Sequence, residues 1–76
     1  MSHGYSLRLR DLNLEADETK VGVRLGRTCI EHDIPVSAVA RHMKVSRVTV
    51  YNWFSGAVDP HPTAEALILE YLAHFD

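Results

Sequence analysis

Arg47, Val48, Tyr51 and Asn52 stand close together in the chain and carry side chains that match the edges of DNA bases. An arginine forks onto the two acceptors of guanine in the major groove, an asparagine pairs with adenine, and a valine touches the methyl of thymine. A tyrosine reaches a phosphate or a base edge. Placing successive residues about 100° apart from Arg47 onward gathers Arg47, Val48, Tyr51, Asn52 and Ser55 on one arc of roughly 140°. Val50 and Trp53 fall nearly opposite the centre of that arc. The spacing predicts a helix with a base-reading front and a buried back.

Such a front is useful only if a second helix holds it against DNA, and the run Val36 to Gly56, VSAVARHMKVSRVTVYNWFSG, supplies one. Val39, Met43, Val45, Val50 and Trp53 recur at spacings that gather on one buried side. Ala40 is small where the first helix must let the second pass close. Ser46 is placed to cap the second helix and Gly56 to end it. Ser37, Arg41 and Lys44, with the hydroxyls of Ser46, Thr49 and Ser55, are the candidate contacts to the DNA backbone. Contacts of that kind position a protein and carry no sequence information.

Ala40, the turn through Lys44 and Val45, Ser46 opening the second helix, Val50 and Trp53 together resemble the Cro and phage-repressor type of helix-turn-helix protein. The resemblance covers about a quarter of the chain strongly and the flanking helices weakly, and it rests on residue classes rather than on an invariant signature. It implies a small DNA-binding regulator that occupies an operator as a dimer and represses by excluding RNA polymerase, in some phages at its own operon. One departure stands in the turn: the family usually places glycine where a positive φ is needed, and Lys44 occupies that place here. A side chain there costs roughly 1 kcal/mol, which a packed core can absorb.

The formal net charge of the chain is −2, unusual for a DNA binder. Its distribution is more telling. Residues 1–33 carry a net −1 and residues 59–76 a net −4, whereas residues 34–58 carry +3 from Arg41, Lys44 and Arg47 with no acid. Screening limits each field to about 8 to 10 Å in physiological salt, so a local basic patch can face DNA while an acidic tail faces away. Three cations per chain are few for one site, and a second copy would double them. The expected partner is double-stranded DNA, bound by a homodimer.

With 76 residues, 46% of them hydrophobic, the chain is expected to form one marginal globule. The expected class is mainly α: a compact four-helix helix-turn-helix domain over residues 17–76, preceded by an N-terminal extension over residues 1–16. In that extension Tyr5, Leu7 and Leu9 alternate with Ser6, Arg8 and Arg10, the period of a half-buried strand. The segment reads either as a short β-strand or as an arm whose Arg8 and Arg10 reach a minor groove. A helix is expected from about Thr19 to His32, with Val21, Leu25 and Cys29 as its core stripe and Gly22 and Gly26 beside it, permitting close approach of a neighbour. The next runs from about Pro35 to Met43, since proline is tolerated in a first turn. After the rigid Asp59-Pro60-His61-Pro62 connector, a final helix from Thr63 to about Phe75 buries Ala64, Leu67, Ile68, Tyr71, Leu72 and Phe75. Two surfaces are candidates for the dimer: Tyr5, Leu7 and Leu9 paired as strands, or the Ala66, Leu69 and Ala73 face of the last helix.

Other chemistry finds little support. The five histidines include no pair at the helical i, i+4 spacing of a metal site, and Cys29 stands alone on an apolar stripe, so neither a metal nor a nucleophile is expected. No glycine-rich phosphate loop or paired carboxylates are visible, and an enzyme, a cofactor or a small-molecule ligand is not expected. No run of about 18 apolar residues exists to span a membrane. The lone cysteine and the lack of a secretory pattern suggest the cytoplasm. The alternative function is a protein-binding module that uses a helical fold to dock a host protein, consistent with the negative total charge.

Overall fold

The computed structural model describes residues 7–75, which form α1 (Leu7–Glu15), α2 (Val21–Glu31), α3 (Val36–Met43), α4 (Arg47–Ser55) and α5 (Pro62–Ala73). The mainly helical class is as the sequence predicts, but there are five helices rather than four, and no strand among the described residues. Leu7 and Leu9 belong to α1; Tyr5 lies outside the described residues.

The N-terminal alternation misleads for a physical reason. The helix buries Leu9 and Asn13, four residues apart, and the second member of that stripe is polar. The leucines beside it, Leu7, Leu12 and Leu14, are exposed. Asn13 is nevertheless an apt core residue. Its Nδ2 donates to the carbonyls of Val23 (3.1 Å) and Phe54 (2.8 Å), tying α1 to α2 and to the end of α4. The Phe54 carbonyl is among the last four of α4, which the helix itself leaves without a partner. Arg27 completes the network by donating to the Asn13 side-chain oxygen and to its backbone carbonyl while pairing with Glu18.

Helix α2 packs against α1, α4 and α5. Val23, Leu25 and Cys29 are wholly buried on it. Gly22 and Gly26 let α4 lie almost in contact with its backbone: a Cβ at Gly22 would sit 2.8 Å from the Trp53 carbonyl oxygen, and one at Gly26 would sit 2.8 Å from the Phe54 ring and 2.6 Å from Asn13 Nδ2. The α4 backbone at Trp53 and the ring of Phe54 thereby seat on a floor of glycines. Burial leaves the Cys29 thiol pushed up to about 12, far from the thiolate state a nucleophile needs.

Helix α5 covers the remaining side through Ile68 and Leu72. Its buried stripe is narrower than the sequence suggests, because Leu67 is exposed and Ala64, Tyr71 and Phe75 are only partly buried. Tyr71 and Phe75 instead meet histidines from elsewhere in the fold: His42 of α3 lies against Tyr71 (5.1 Å between centroids) and His32, just past the end of α2, against Phe75 (4.7 Å). No helix among the described residues is long and apolar enough to cross a membrane.

Candidate nucleic-acid interface

The turn between α3 and α4 is three residues long and its geometry follows from Lys44 and Ser46. Lys44 takes the left-handed conformation (φ 59°, ψ 44°), the place where glycine would be unstrained. The Lys44 amide donates to the Arg41 carbonyl and the Val45 amide to the Ala40 carbonyl (3.0 Å), the hydrogen bonds of a Schellman turn. Ser46 then caps α4, its Oγ accepting from the Thr49 amide (3.1 Å) and meeting the Thr49 hydroxyl at 2.9 Å. Gly56 ends α4 at φ 80°. Val39, Ala40 and Met43 of α3 are buried, so the two helices are fixed to each other and to the core.

Helix α4 is consequently two-sided. Val50, Trp53 and Phe54 are buried, with Trp53 only 4% exposed. Arg47 is exposed, Val48 is 65% and Tyr51 40% exposed, and Asn52 is partly buried. Phe54 was not among the expected core residues. On the helical wheel it falls beside Arg47, at the margin of the outward arc, and its burial turns the centre of the outward face toward Val48 and Asn52. The signal available was its adjacency to Trp53, which widens the apolar stripe by one residue.

The candidate backbone contacts divide around this face. Arg41, Lys44 and Ser46 are exposed; Ser37, Thr49 and Ser55 are partly buried. The Ser55 hydroxyl lies 3.4 Å from the carbonyl oxygen of Asn52 in its own helix. Ser37, Arg47 and Tyr51 come together with Pro35 and Val36 around a cleft of about 130 Å³. Helix α3 begins beside it at Val36 and Ser37, while the Ala38 amide is already taken by the Pro35 carbonyl (3.0 Å). A guanidinium, two hydroxyls and a helix N-terminus at one small cleft suit a phosphate oxygen. Thr49 and Asn52 lie on the other flank, lining a larger cleft with Trp53, Val58, Asp59 and His61. Asp59 is 3.9 Å from Lys20, whose ammonium also donates to the Gly56 carbonyl.

Of the dimer candidates, Leu7 is 76% exposed, Leu9 is buried in the core, and Ala66, Leu69 and Ala73 are exposed along α5. No group of three or more histidine, cysteine, aspartate or glutamate side chains able to hold a metal occurs among the described residues. The side chains whose pKa is displaced, Asp17 (lowered by hydrogen bonds from Thr19), Cys29 and Tyr71 (both raised by burial), are not on α4. No family model matches the chain, and no curated protein and no solved structure matches it significantly.

Proposed function

We propose that the protein is a sequence-specific DNA-binding transcriptional regulator of phage-repressor type, which occupies a palindromic operator as a dimer and blocks RNA polymerase. The observation that carries this reading is the two-sided α4: its back is fixed on the glycines of α2, and its front presents Arg47, Val48, Tyr51 and Asn52 from a Ser46-capped start. Arg47 and Asn52 read base edges and Val48 meets a thymine methyl. Tyr51 adds a contact to a base edge or a phosphate. Ser37, Arg41 and Lys44, with Ser46, Thr49 and Ser55, hold the phosphates on either side.

Two copies related by a twofold axis would place their α4 helices in successive major grooves, with half-site centres about 34 Å apart. Three exposed cations per copy then become six at one operator, enough for a steep dependence on salt. Occupancy itself represses, since no further domain is needed to exclude polymerase from overlapping DNA.

The rival is a protein-binding module, favoured by exposed Val48, Tyr51 and Val58 and by the chain's negative charge. Titration of random and selected duplex DNA at rising salt separates the two. The regulator binds both at low salt and retains only the selected site as salt rises. A protein-docking module binds neither.

A further inference from the structure

The outward stripe of α1 is apolar at both ends and charged at its centre. Leu7, Arg10, Asp11 and Leu14 are spaced i, i+3, i+4, i+7 and are all exposed, Leu7 and Leu14 at 76% and 65%. The stripe reads apolar, positive, negative, apolar. When it is laid antiparallel on its own copy, Leu7 faces Leu14 of the second molecule at both ends, and Arg10 faces Asp11 twice at the centre. A twofold axis requires this self-complementarity, since each contact between residues i and j recurs as j and i. Leu14 also lines a groove of about 340 Å³ between α1 and α2 with Arg10, Arg27 and Ile30. Asn13 and Glu31 complete its lining, so that the incoming Leu7 would meet Leu14 and Ile30 within a largely polar rim.

The outward face of α5 makes the contrast. Ala66, Leu69, Glu70 and Ala73 have the same spacing, but antiparallel pairing sets each Leu69 against a Glu70 and brings two carboxylates into one contact without a cation. We propose that the protein dimerises by antiparallel packing of α1 on α1 of a second copy, through Leu7, Arg10, Asp11 and Leu14. This deepens the reading of the protein as a twofold dimer and rests on it, but not on DNA recognition. The contact is small, and its affinity belongs on the order of micromolar to submillimolar, so the free protein populates the dimer at high concentration.

Charge exchange tests the register. In sedimentation equilibrium of the full chain up to ~1 mM, the parent should show a reversible monomer–dimer equilibrium. Arg10→Asp and Asp11→Arg should each weaken it by about tenfold or more, because each turns both central pairs into like-charge pairs. The double variant exchanges the two charges and should recover the dimer. Leu14→Lys, at an exposed position, should abolish it, with far-ultraviolet circular dichroism reporting the fold of every variant. A monomeric parent overturns the proposal. So does a dimer indifferent to the three single substitutions, or a correctly folded double variant that stays monomeric; a dimer indifferent to all of them moves the interface off α1 while leaving a twofold regulator standing. A parent that dimerises through α1 but binds no duplex DNA overturns the regulator and not the interface.

Discussion

The two sides of α4 differ in what they give to the fold. Its back is packed as tightly as any part of the molecule, with Trp53 and Phe54 on Gly22 and Gly26 and the Phe54 carbonyl held by Asn13. Its front gives less to the fold: Arg47 and Val48 are exposed, Tyr51 is 40% exposed and Asn52 is partly buried. A rigid back fixes where the front side chains leave the backbone, so that contact with a partner orders rotamers and not the helix. Substitutions on the two sides should therefore report on different properties.

The largest effect belongs to the back. Trp53→Ala removes a buried aromatic whose neighbours cannot collapse onto the space, and it should lower stability by about 3 to 5 kcal/mol, measured by urea denaturation. A variant that melted like the parent would erase the distinction between the two sides. Next comes Asn13→Ala, which leaves the Phe54 carbonyl without its donor from α1, at a cost of about 1 to 3 kcal/mol. If Asn13→Ala were neutral, α1 would not be fastened to α4 as described.

On the front, Arg47→Ala and Asn52→Ala should each lose about 1 to 3 kcal/mol of discrimination at one base pair, read by competition between matched and mismatched duplexes. The melting temperature should hardly move for Arg47→Ala. Equal losses on specific and random DNA would reassign these side chains to the phosphate backbone. The smallest effect is Lys44→Gly, which removes the left-handed strain of a side chain and should raise stability by about 0.5 to 1 kcal/mol. The same variant should bind all duplexes more weakly, since it deletes one phosphate partner per chain. A stabler protein with weaker, equally selective binding is a signature that neither side alone produces.

Much of this arrangement was legible before any coordinates. The turn at Lys44, the cap at Ser46, the end at Gly56 and the burial of Val50 and Trp53 all follow from local rules, which act over a few residues and leave their mark in residue type. The glycines of α2 announced a close neighbour but not which one. What stayed hidden was α1, because its inward stripe pairs Leu9 with Asn13, and an asparagine reads as surface until its acceptors on α2 and α4 are known. Those acceptors lie 10 and 41 residues away, beyond any periodicity. Phe54 is less legible for a related reason: adjacency to Trp53 is its local signal, but the space it fills is set by Gly26 across the core.

The central claim, that the front of α4 reads DNA, is tested most directly by selecting bound duplexes from a random pool with the intact protein and then titrating the selected site at increasing salt. The account predicts an inverted repeat with half-site centres about 34 Å apart, bound with an affinity that falls steeply with salt and loses its preference at one base pair per half-site in Arg47→Ala. Failure to enrich any sequence, together with no binding to duplex DNA at low salt, would contradict it.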